Sequence, residues 1–399
     1  MIHYNESIKK INNIEINNKK IKSLALLDAQ NYILAEDIIA NENSPELPTS
    51  AMDGYAIIHE DMMLNRLKVS SINPAGAILE DEVIGGTCIK TFTGSLMPHG
   101  ADTLIPLEYV EVEGNEIIIK EEVPQGFSVR EVGENYSKGQ LLIAKGTKID
   151  FPQIGVLASL NISSIKVYEK PVVAILSTGS ELLELGEEQT NYAQIRSSNN
   201  YILEAIVKKY NGKPLQLGCI KDDKLSITTA ITNALITADI VVTTGGVSVG
   251  DFDFVKDVIC ELGCDVIFKG VRIKPGQHIM LARKENKFII GLPGFAYSST
   301  ITALLYLLPL INKFQSGTFT LKMIKAKLKE PFLKKSKKTE FTACNVSLIY
   351  GEYYVDFNDK KVGTSAILTN MLGNIALLVT SEDESSKSIG DVVNIILLD

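Results

Sequence analysis

The chain has 399 residues, a formal net charge of −8, 45% hydrophobic residues and 22% charged residues. A chain of this length exceeds one ordinary hydrophobic core, so roughly two to four domains are expected. The composition is that of a soluble globular protein. The acidic balance excludes a general nucleic-acid binder, which needs a basic surface, but it allows a small anionic ligand in a local site.

Targeting and cysteine patterns point to the cytoplasm. Residues 1–13 are polar and lack the apolar core of a signal peptide, and the most apolar run, 301–311, is too short to span a bilayer. The five cysteines include no C-x-x-C motif, which fits a reducing compartment. Cys260 and Cys264 lie one helical turn apart, but without nearby histidines such a pair is more often ordinary helix than a zinc site. We therefore predict a cytoplasmic protein without a membrane partner.

The N-terminal part of the chain changes character twice. Residues 5–40 predict a helix followed by short mixed segments, and leucines and alanines recur at helical spacing over 23–36. Residues 51–140 alternate short β-prone runs with glycine turns, which predicts a small β-rich domain. Residues 139–160 then return to a strand followed by a helix.

From residue 171 strands, loops and helices alternate. Residues 172–176 form a continuous apolar run, typical of a parallel strand that is covered on both faces. The alternation continues to residue 311 and predicts a doubly wound α/β domain of about 145 residues. Residues 317–399 instead contain repeated short β-type runs, which predict a small β-barrel or sandwich.

The most informative stretch is 238–256, ADIVVTTGGVSVGDFDFVK. A buried strand runs into Gly245-Gly246, and Asp251 and Asp253 follow. Glycines expose backbone N–H groups to a phosphate, and carboxylates beside a phosphate require a divalent cation between them. The stretch therefore suggests an anionic, nucleotide-like ligand held with Mg²⁺. The alternative is an ordinary glycine-rich turn with a capping aspartate.

Other loops follow strands of the same predicted sheet and should meet at one edge. The segment 177–182 contributes Thr178 and Glu181, the latter being equally compatible with a first-turn glutamate that complements a helix dipole. Asp222 lies on a neighbouring loop. Lys274 adjoins a Pro-Gly turn and Ser298 lies near a helix start, so both are suited to an oxyanion.

Eight sequence blocks in this order resemble the molybdopterin molybdenumtransferase family, which includes the E domain of gephyrin. They are LPTSAMDGYA, TGSLMPHGAD, GFSVREVGEN, VAILSTGSEL, QIRSSNN, TTGGVSVGDFDFVK, IKPGQ and GLPG, spread over residues 47–299. The resemblance implies four domains. They are an elongated linking domain from 1–50 and 141–170, an inserted β-rich domain over 51–140, an α/β molybdopterin- and nucleotide-binding domain over 171–316, and a C-terminal β-barrel over 317–399.

The resemblance also implies an activity. Family members are homodimers with an active site between subunits, and they bind adenylyl-molybdopterin and molybdate with Mg²⁺. They insert the metal into the dithiolene, cleave the phosphoanhydride and release AMP. The leading hypothesis is therefore an enzyme of molybdenum cofactor biosynthesis. The alternatives are a non-catalytic molybdopterin-binding or scaffold paralogue and a molybdopterin adenylyltransferase.

Site residues follow from the resemblance position by position. The catalytic candidates are Asp53, Glu181, Asp222, Asp253 and Lys274, of which Glu181 and Asp253 are the metal candidates. The substrate-binding candidates are Thr93, Thr178, Gly245, Gly246, Ser248, Ser298 and Ser365. Asp53 and Thr93 resemble residues that the opposite subunit contributes.

The chain departs from the family pattern on the oxyanion side. K-P-G-K-P becomes Lys274-Pro-Gly-Gln277-His278, and an arginine of the barrel corresponds to Lys338. G-E-D ends in Asn135, and Phe295 replaces the asparagine of L-P-G-N-P. Losing a lysine weakens attraction for an oxyanion, and lysine lacks the bidentate fork of arginine. The departures leave open whether molybdate or tungstate is used.

Overall fold

A computed structural model describes residues 1–78, 80–247, 254–316 and 321–398. The chain forms two compact units. The first comprises residues 1–35, 146–151 and 164–399, and the second comprises residues 36–145 and 152–163. The four-domain boundaries expected from the sequence stay a prediction.

The N-terminal segment belongs to the first unit. It contains α1 (Tyr4–Asn12), β1 (Ile21–Ala25) and a 3₁₀ turn at Leu27–Ala29. The helix predicted over 23–36 is wrong, because β1 pairs antiparallel with a strand at 164–168. That partner lies far along the chain, and such tertiary pairing overrides local helical spacing.

The second unit is built on a six-stranded sheet, as the β-prone runs predict. Its strands and helix are β2 (Ile38–Ile39), β3 (Thr49–Ser50), β4 (Gly54–Ile57), β5 (Arg66–Asn73), β6 (Thr87–Thr91), β7 (Thr103–Pro106), β8 (Val110–Glu113), β9 (Glu116–Ile119), β10 (Val129–Arg130), β11 (Leu141–Ile143) and α2 (Phe151–Ser159), with 3₁₀ turns at His59–Leu64 and Leu107–Tyr109. The sheet order is β7-β4-β6-β5-β9-β8. Its core includes Tyr55, Leu67, Cys88, Ile105 and Ile117. The β-branched isoleucines and the aromatic Tyr55 among them suit a half-buried pleated face.

The α/β part of the first unit follows. Its elements are β12 (Ser164–Tyr168), β13 (Val172–Thr178), β14 (Leu182–Leu183), β15 (Ile195–Arg196), α3 (Asn199–Lys209), β16 (Lys213–Ile220), α4 (Lys224–Thr237), β17 (Ile240–Thr244), α5 (Phe254–Glu261), β18 (Asp265–Lys269), β19 (Ile273–Lys274), β20 (Met280–Lys284), β21 (Lys287–Leu292), α6 (Ala296–Thr302), a π-helical turn at Ala303–Leu307 and α7 (Leu308–Gln315). The sheet order is β16-β13-β17-β21-β20-β18. The first four strands are parallel and β20 is antiparallel to both neighbours, so the sheet is mixed.

Both faces of this sheet are covered, which confirms the doubly wound prediction. Val173 and Ile175 of β13 pack in one core with α3, α6 and α7. Ala174 and Leu176, which alternate with them, pack in a second core with α4 and α5. A strand that is buried on both faces requires the continuous apolar run seen in the sequence.

The C-terminal part closes into a β-barrel. Its strands are β22 (Met323–Leu328), β23 (Thr339–Ile349), β24 (Glu352–Asp356), β25 (Ile375–Thr380) and β26 (Val392–Leu397), with a 3₁₀ turn at Leu368–Met371. The order β23-β24-β22-β26-β25 returns to β23, so the five strands form a ring without free edges. Strand β19 adds to the ring by pairing parallel with the start of β23. That pairing brings the barrel against the α/β part.

The described residues contain neither a membrane-spanning helix nor a cluster of metal-binding side chains. No helix there is long and apolar enough to cross a bilayer. No group of three or more His, Cys, Asp or Glu side chains there is arranged to hold a metal ion by itself. Helix α5 ends at Glu261, so Cys264 lies beyond it and does not share a helical face with Cys260.

Candidate active site

A cavity of about 740 Å³ lies in the first unit, where the carboxyl ends of the parallel strands meet the barrel. Thr178 ends β13, Thr244 ends β17, and Pro293 follows β21; all three line the cavity. The barrel contributes Lys338 and Ser365. Ligands collect at this edge of a doubly wound sheet, so the cavity is the candidate active site.

The cavity brings together eight residues predicted from the sequence. They are Thr178, Glu181, Asp222, Gly245, Gly246, Lys274, Ser298 and Ser365. Two further candidates, Ser248 and Asp253, lie outside the described residues. Asp53 and Thr93 belong to the second unit. The chemical roles of all these residues stay predictions.

The glycine pair at the end of β17 is required by backbone geometry. Gly245 has φ 87° and Gly246 has φ 66°, both in the left-handed region. A Cβ on Gly245 would lie 2.8 Å from the Thr178 carbonyl oxygen, and one on Gly246 would lie 2.6 Å from a methyl of Val255. Any larger residue would therefore close the space beside Thr178.

Thr178 presents a buried hydroxyl to this space. The residue is 6% exposed, and its Oγ1 makes no hydrogen bond to any residue in the described ranges. A buried polar atom without a partner is costly, so it is commonly satisfied by a ligand or water. Behind it, the Ser177 hydroxyl bonds to Thr244 Oγ1 and to Asn200 Oδ1, each at 2.7 Å. This buried network holds the ends of β13 and β17 together.

Two adjacent aspartates after β16 have different tasks. Asp223 caps α4, since its carboxylate accepts the Ser226 N–H at 2.8 Å. Hydrogen bonds from the Ser226 side chain and backbone hold the pKa of Asp223 below its usual range. Asp222 lines the cavity instead, as does Glu181. The cavity lining therefore carries two carboxylates, whose hard oxygens suit Mg²⁺.

The part of the cavity lining next to the barrel carries cations. Lys274 Nζ lies 3.7 Å from Glu340 Oε1, and the Glu340 side chain is 5% exposed. The Ser298 hydroxyl donates to the Ser365 carbonyl oxygen at 3.0 Å. Both contacts join the α/β part to the barrel. This side offers cations and small polar groups, as an oxyanion subsite requires.

Sequence reasoning did not assign roles to three other lining residues of this side, Gln277, His278 and Lys338. The resemblance did place Gln277 and Lys338 at positions where relatives carry cations, and that signal could have found them. Sequence reasoning also missed Asn199. Its amide donates to the Gly294 carbonyl oxygen at 2.7 Å and so connects α3 to the loop after β21. Asn199 lies within the recognised block QIRSSNN.

In the second unit, Asp53 and Thr93 contact each other. Asp53 Oδ1 accepts the Thr93 N–H at 2.8 Å and the Thr93 hydroxyl at 2.7 Å. These hydrogen bonds hold the pKa of Asp53 below its usual range. The pair is exposed, so it presents a fixed carboxylate to solvent.

Known proteins share this sequence along most of its length. The family model of the MoeA N-terminal region (domain I and II) matches residues 2–161, and that of a probable molybdopterin binding domain matches residues 174–313. The molybdopterin molybdenumtransferase of Haemophilus influenzae is 34% identical over 294 residues, covering 73% of this chain and 72% of its own. That of Staphylococcus epidermidis is 29% identical over 407 residues, covering 99% and 95%.

A solved structure shares the whole fold. The molybdopterin biosynthesis moeA protein of Pyrococcus horikoshii OT3 superposes with a TM-score of 0.84 at 28% identity, covering 100% of both chains. The match therefore includes the inserted β-rich part and the barrel as well as the α/β part. With a relative more than 30% identical over most of both sequences, this chain belongs to the molybdopterin molybdenumtransferase family.

Proposed function

We propose that this protein inserts molybdate into adenylyl-molybdopterin, with Mg²⁺, and releases AMP. It is a transferase of molybdenum cofactor biosynthesis, since its curated relatives carry that activity in their names. The observation that carries the proposal is that a glycine loop, two carboxylates and the lysines next to the barrel line one cavity. The adenylyltransferase alternative is not favoured, because the similarity extends over the whole chain.

The glycine loop and Thr178 would bind the nucleotide end of the substrate. The orphaned Thr178 hydroxyl and the space beside Gly245 and Gly246 fit a phosphate that approaches the backbone closely. Glu181 would hold Mg²⁺ together with Asp253, which lies outside the described residues, and Asp222 adds a further carboxylate. When bound, Mg²⁺ would neutralise charge on the diphosphate.

The barrel side would hold the oxyanion. Lys274 and Lys338 supply positive charge, while Ser298 and Ser365 line the same wall. Holding the two substrates in one cavity converts their encounter into a reaction within a complex. The protein would therefore contribute chiefly positioning and electrostatic stabilisation as the phosphoanhydride breaks and AMP leaves.

The two adjacent aspartates give a matched test. Purified protein is incubated with adenylyl-molybdopterin, Mg²⁺ and molybdate, and released AMP is measured. Asp222→Asn should lower the rate strongly because Asp222 lines the cavity, whereas Asp223→Asn should keep it because asparagine also caps a helix. Pterin binding without AMP release at any concentration of molybdate or tungstate would show a scaffold and overturn the proposal.

We infer further that the enzyme is a cytoplasmic homodimer with Asp53 and Thr93 supplied by the opposite subunit. The resemblance of LPTSAMDGYA and TGSLMPHGAD to family blocks supports this inference. Co-expressing Asp53→Ala and Glu181→Gln chains would test it, because heterodimers would rebuild one intact site from two inactive chains. Sedimentation gives the oligomeric state independently. A monomeric and fully active protein would rule out the composite site.

A further inference from the structure

Three side chains of the cavity form a hydrogen-bonded chain on the barrel side. The Lys338 ammonium donates to Gln277 Oε1. The other end of the same amide, Gln277 Nε2, lies 2.8 Å from His278 Nε2. All three residues line the cavity. The chain therefore spans the wall that the proposed function assigns to the oxyanion.

The donor and acceptor roles in this chain follow from Lys338. An ammonium can only donate, so the Gln277 amide must turn its oxygen towards Lys338. Its NH₂ group then faces His278 and donates, so His278 Nε2 must accept through its lone pair. Each orientation is determined by the one before it.

Of the two lysines that line the cavity within the described residues, Lys338 has no carboxylate partner. The charge of Lys274 is offset by Glu340 at 3.7 Å. Within the described ranges no carboxylate forms an ion pair with Lys338. Because the ammonium of Lys338 is not offset by a carboxylate within the described residues, its position should bear strongly on the attraction of an anion.

The backbone around Lys338 is also fixed. Arg272 Nη2 donates to the Lys337 carbonyl oxygen at 3.0 Å, and the Thr339 N–H donates to the Arg272 carbonyl oxygen at 3.1 Å. These contacts secure the chain on both sides of Lys338. The Lys338 side chain keeps its rotational freedom, and its hydrogen bond to the Gln277 amide restrains that side chain.

We propose that Gln277 is a positioning residue that holds the Lys338 ammonium against the oxyanion, and that His278 orients Gln277. The inference rests on the proposed function and names the group that recognises the dianionic, tetrahedral oxyanion. Lys338 binds the charge, and the two neighbouring side chains set where that charge lies. Where the family pattern has a second lysine that attracts the anion by its charge, the neutral Gln277 amide instead contributes by fixing the position of the Lys338 ammonium.

Steady-state AMP release tests this chain of contacts through Gln277→Met, which removes both hydrogen bonds. A charge-assisted hydrogen bond corresponds to about a tenfold change in binding. The KM for molybdate should therefore rise about tenfold, while the KM for adenylyl-molybdopterin and kcat stay near wild type.

His278→Phe should raise the molybdate KM less, and the double variant should be no worse than Gln277→Met alone. Lys337→Met, which removes a neighbouring exposed charge, is the control and should change neither KM.

The outcomes separate the two proposals. Wild-type protein that releases no AMP overturns the proposed function and this inference with it. Active wild type with an unchanged molybdate KM in Gln277→Met, or strictly additive effects of the two substitutions, overturns the positioning role alone. Should Gln277→Met fail to fold, His278→Phe and Lys338→Met still decide: a molybdate KM that rises only in Lys338→Met contradicts the role of the amide.

Discussion

Lys274 and Glu340 face each other across the parallel pairing of β19 and β23, with Nζ and Oε1 3.7 Å apart. Glu340 is almost fully buried, and its Oε1 accepts no hydrogen bond from any residue within the described ranges. The lysine that the family resemblance assigns to the oxyanion is thus also the counter-ion of a buried carboxylate. The same contact links the α/β part to the barrel, so a residue that is proposed to bind the oxyanion also bears on stability.

Lys274→Met should destabilise the fold. It leaves the Glu340 carboxylate buried without a cation, which should lower the free energy of unfolding by at least about 2 kcal/mol. The full penalty of a wholly buried pair is not expected, because the Lys274 side chain is 30% exposed. The double variant Lys274→Met/Glu340→Met should recover most of the loss, as measured by urea denaturation.

An exposed ion pair of the barrel provides the comparison for that experiment. Lys327 and Glu352 lie 2.8 Å apart but are 41% and 53% exposed. Solvent screens such pairs, so Lys327→Met should leave stability nearly unchanged. If Lys274→Met proves as mild as Lys327→Met, the buried pair does not stabilise the junction.

Tyr297→Phe should weaken the junction between α6 and the barrel. The Tyr297 hydroxyl is buried and accepts the Ala343 N–H at 2.9 Å, and burial raises the pKa of Tyr297 to about 12. Removing the hydroxyl leaves that N–H unpaired, at a cost of about 1–3 kcal/mol. Urea denaturation with an unchanged m-value checks this. Tyr350→Phe, at a fully exposed position, should have almost no effect, and equal effects of the two would contradict the argument.

The α/β part of the fold could be predicted because its signals are local. The apolar run 172–176 and the helices that alternate with it lie within short windows of sequence. The alternation of strands and helices in turn placed Glu181 and Asp222 on loops at one edge of the sheet. Local patterns did not reveal that Asp223 caps α4 while Asp222 lines the cavity, since that division depends on the start of the helix.

The contacts of Lys274 and Lys338 within the cavity could not be predicted, because they depend on long-range pairing. Glu340 lies far from Lys274 in sequence, and only the register of β19 with β23 brings them together. The same register places Lys338 beside Gln277. The helix prediction over residues 23–36 was wrong for the same reason, because the strand that pairs with β1 is more than 100 residues away. Contacts set by tertiary pairing leave little trace in local periodicity.

Thr93→Val should raise the pKa of Asp53. The backbone N–H and hydroxyl of Thr93 both stabilise the charged carboxylate, and valine removes only the hydroxyl. The pKa should therefore move part of the way back towards the ordinary aspartate range, as followed by NMR titration. Thr93→Ser keeps a hydroxyl and should keep the depressed pKa.

The sign of the accompanying stability change follows from linkage. A folded-state pKa below the unfolded value adds stability above the unfolded pKa, and this contribution is lost as the pH falls through the folded pKa. Thr93→Val should therefore show a smaller loss of stability on acidification than wild type in the window below the unfolded aspartate pKa. An identical acid dependence in both proteins would show that the hydroxyl contributes nothing to the charged form.

Alkylation of the native protein should distinguish four of the five cysteines by exposure. Cys260 is exposed, whereas burial raises the pKa of both Cys88 and Cys344 to about 12. Because the thiolate is the reactive form, these two buried thiols should resist a maleimide at mildly alkaline pH while Cys260 reacts. Cys219, whose pKa burial raises to about 11, should react slowly.

Mass spectrometry of peptides gives the rate at each cysteine. Adding urea should release Cys88 and Cys344 to react at the rate of Cys260, because unfolding removes the burial that suppresses their thiolates. The variant Cys260→Ser should lose the fast adduct and keep the slow ones. Rapid modification of Cys344 in folded protein would mean that the barrel core opens on the timescale of labelling, since its side chain is fully buried when the ring of strands is closed.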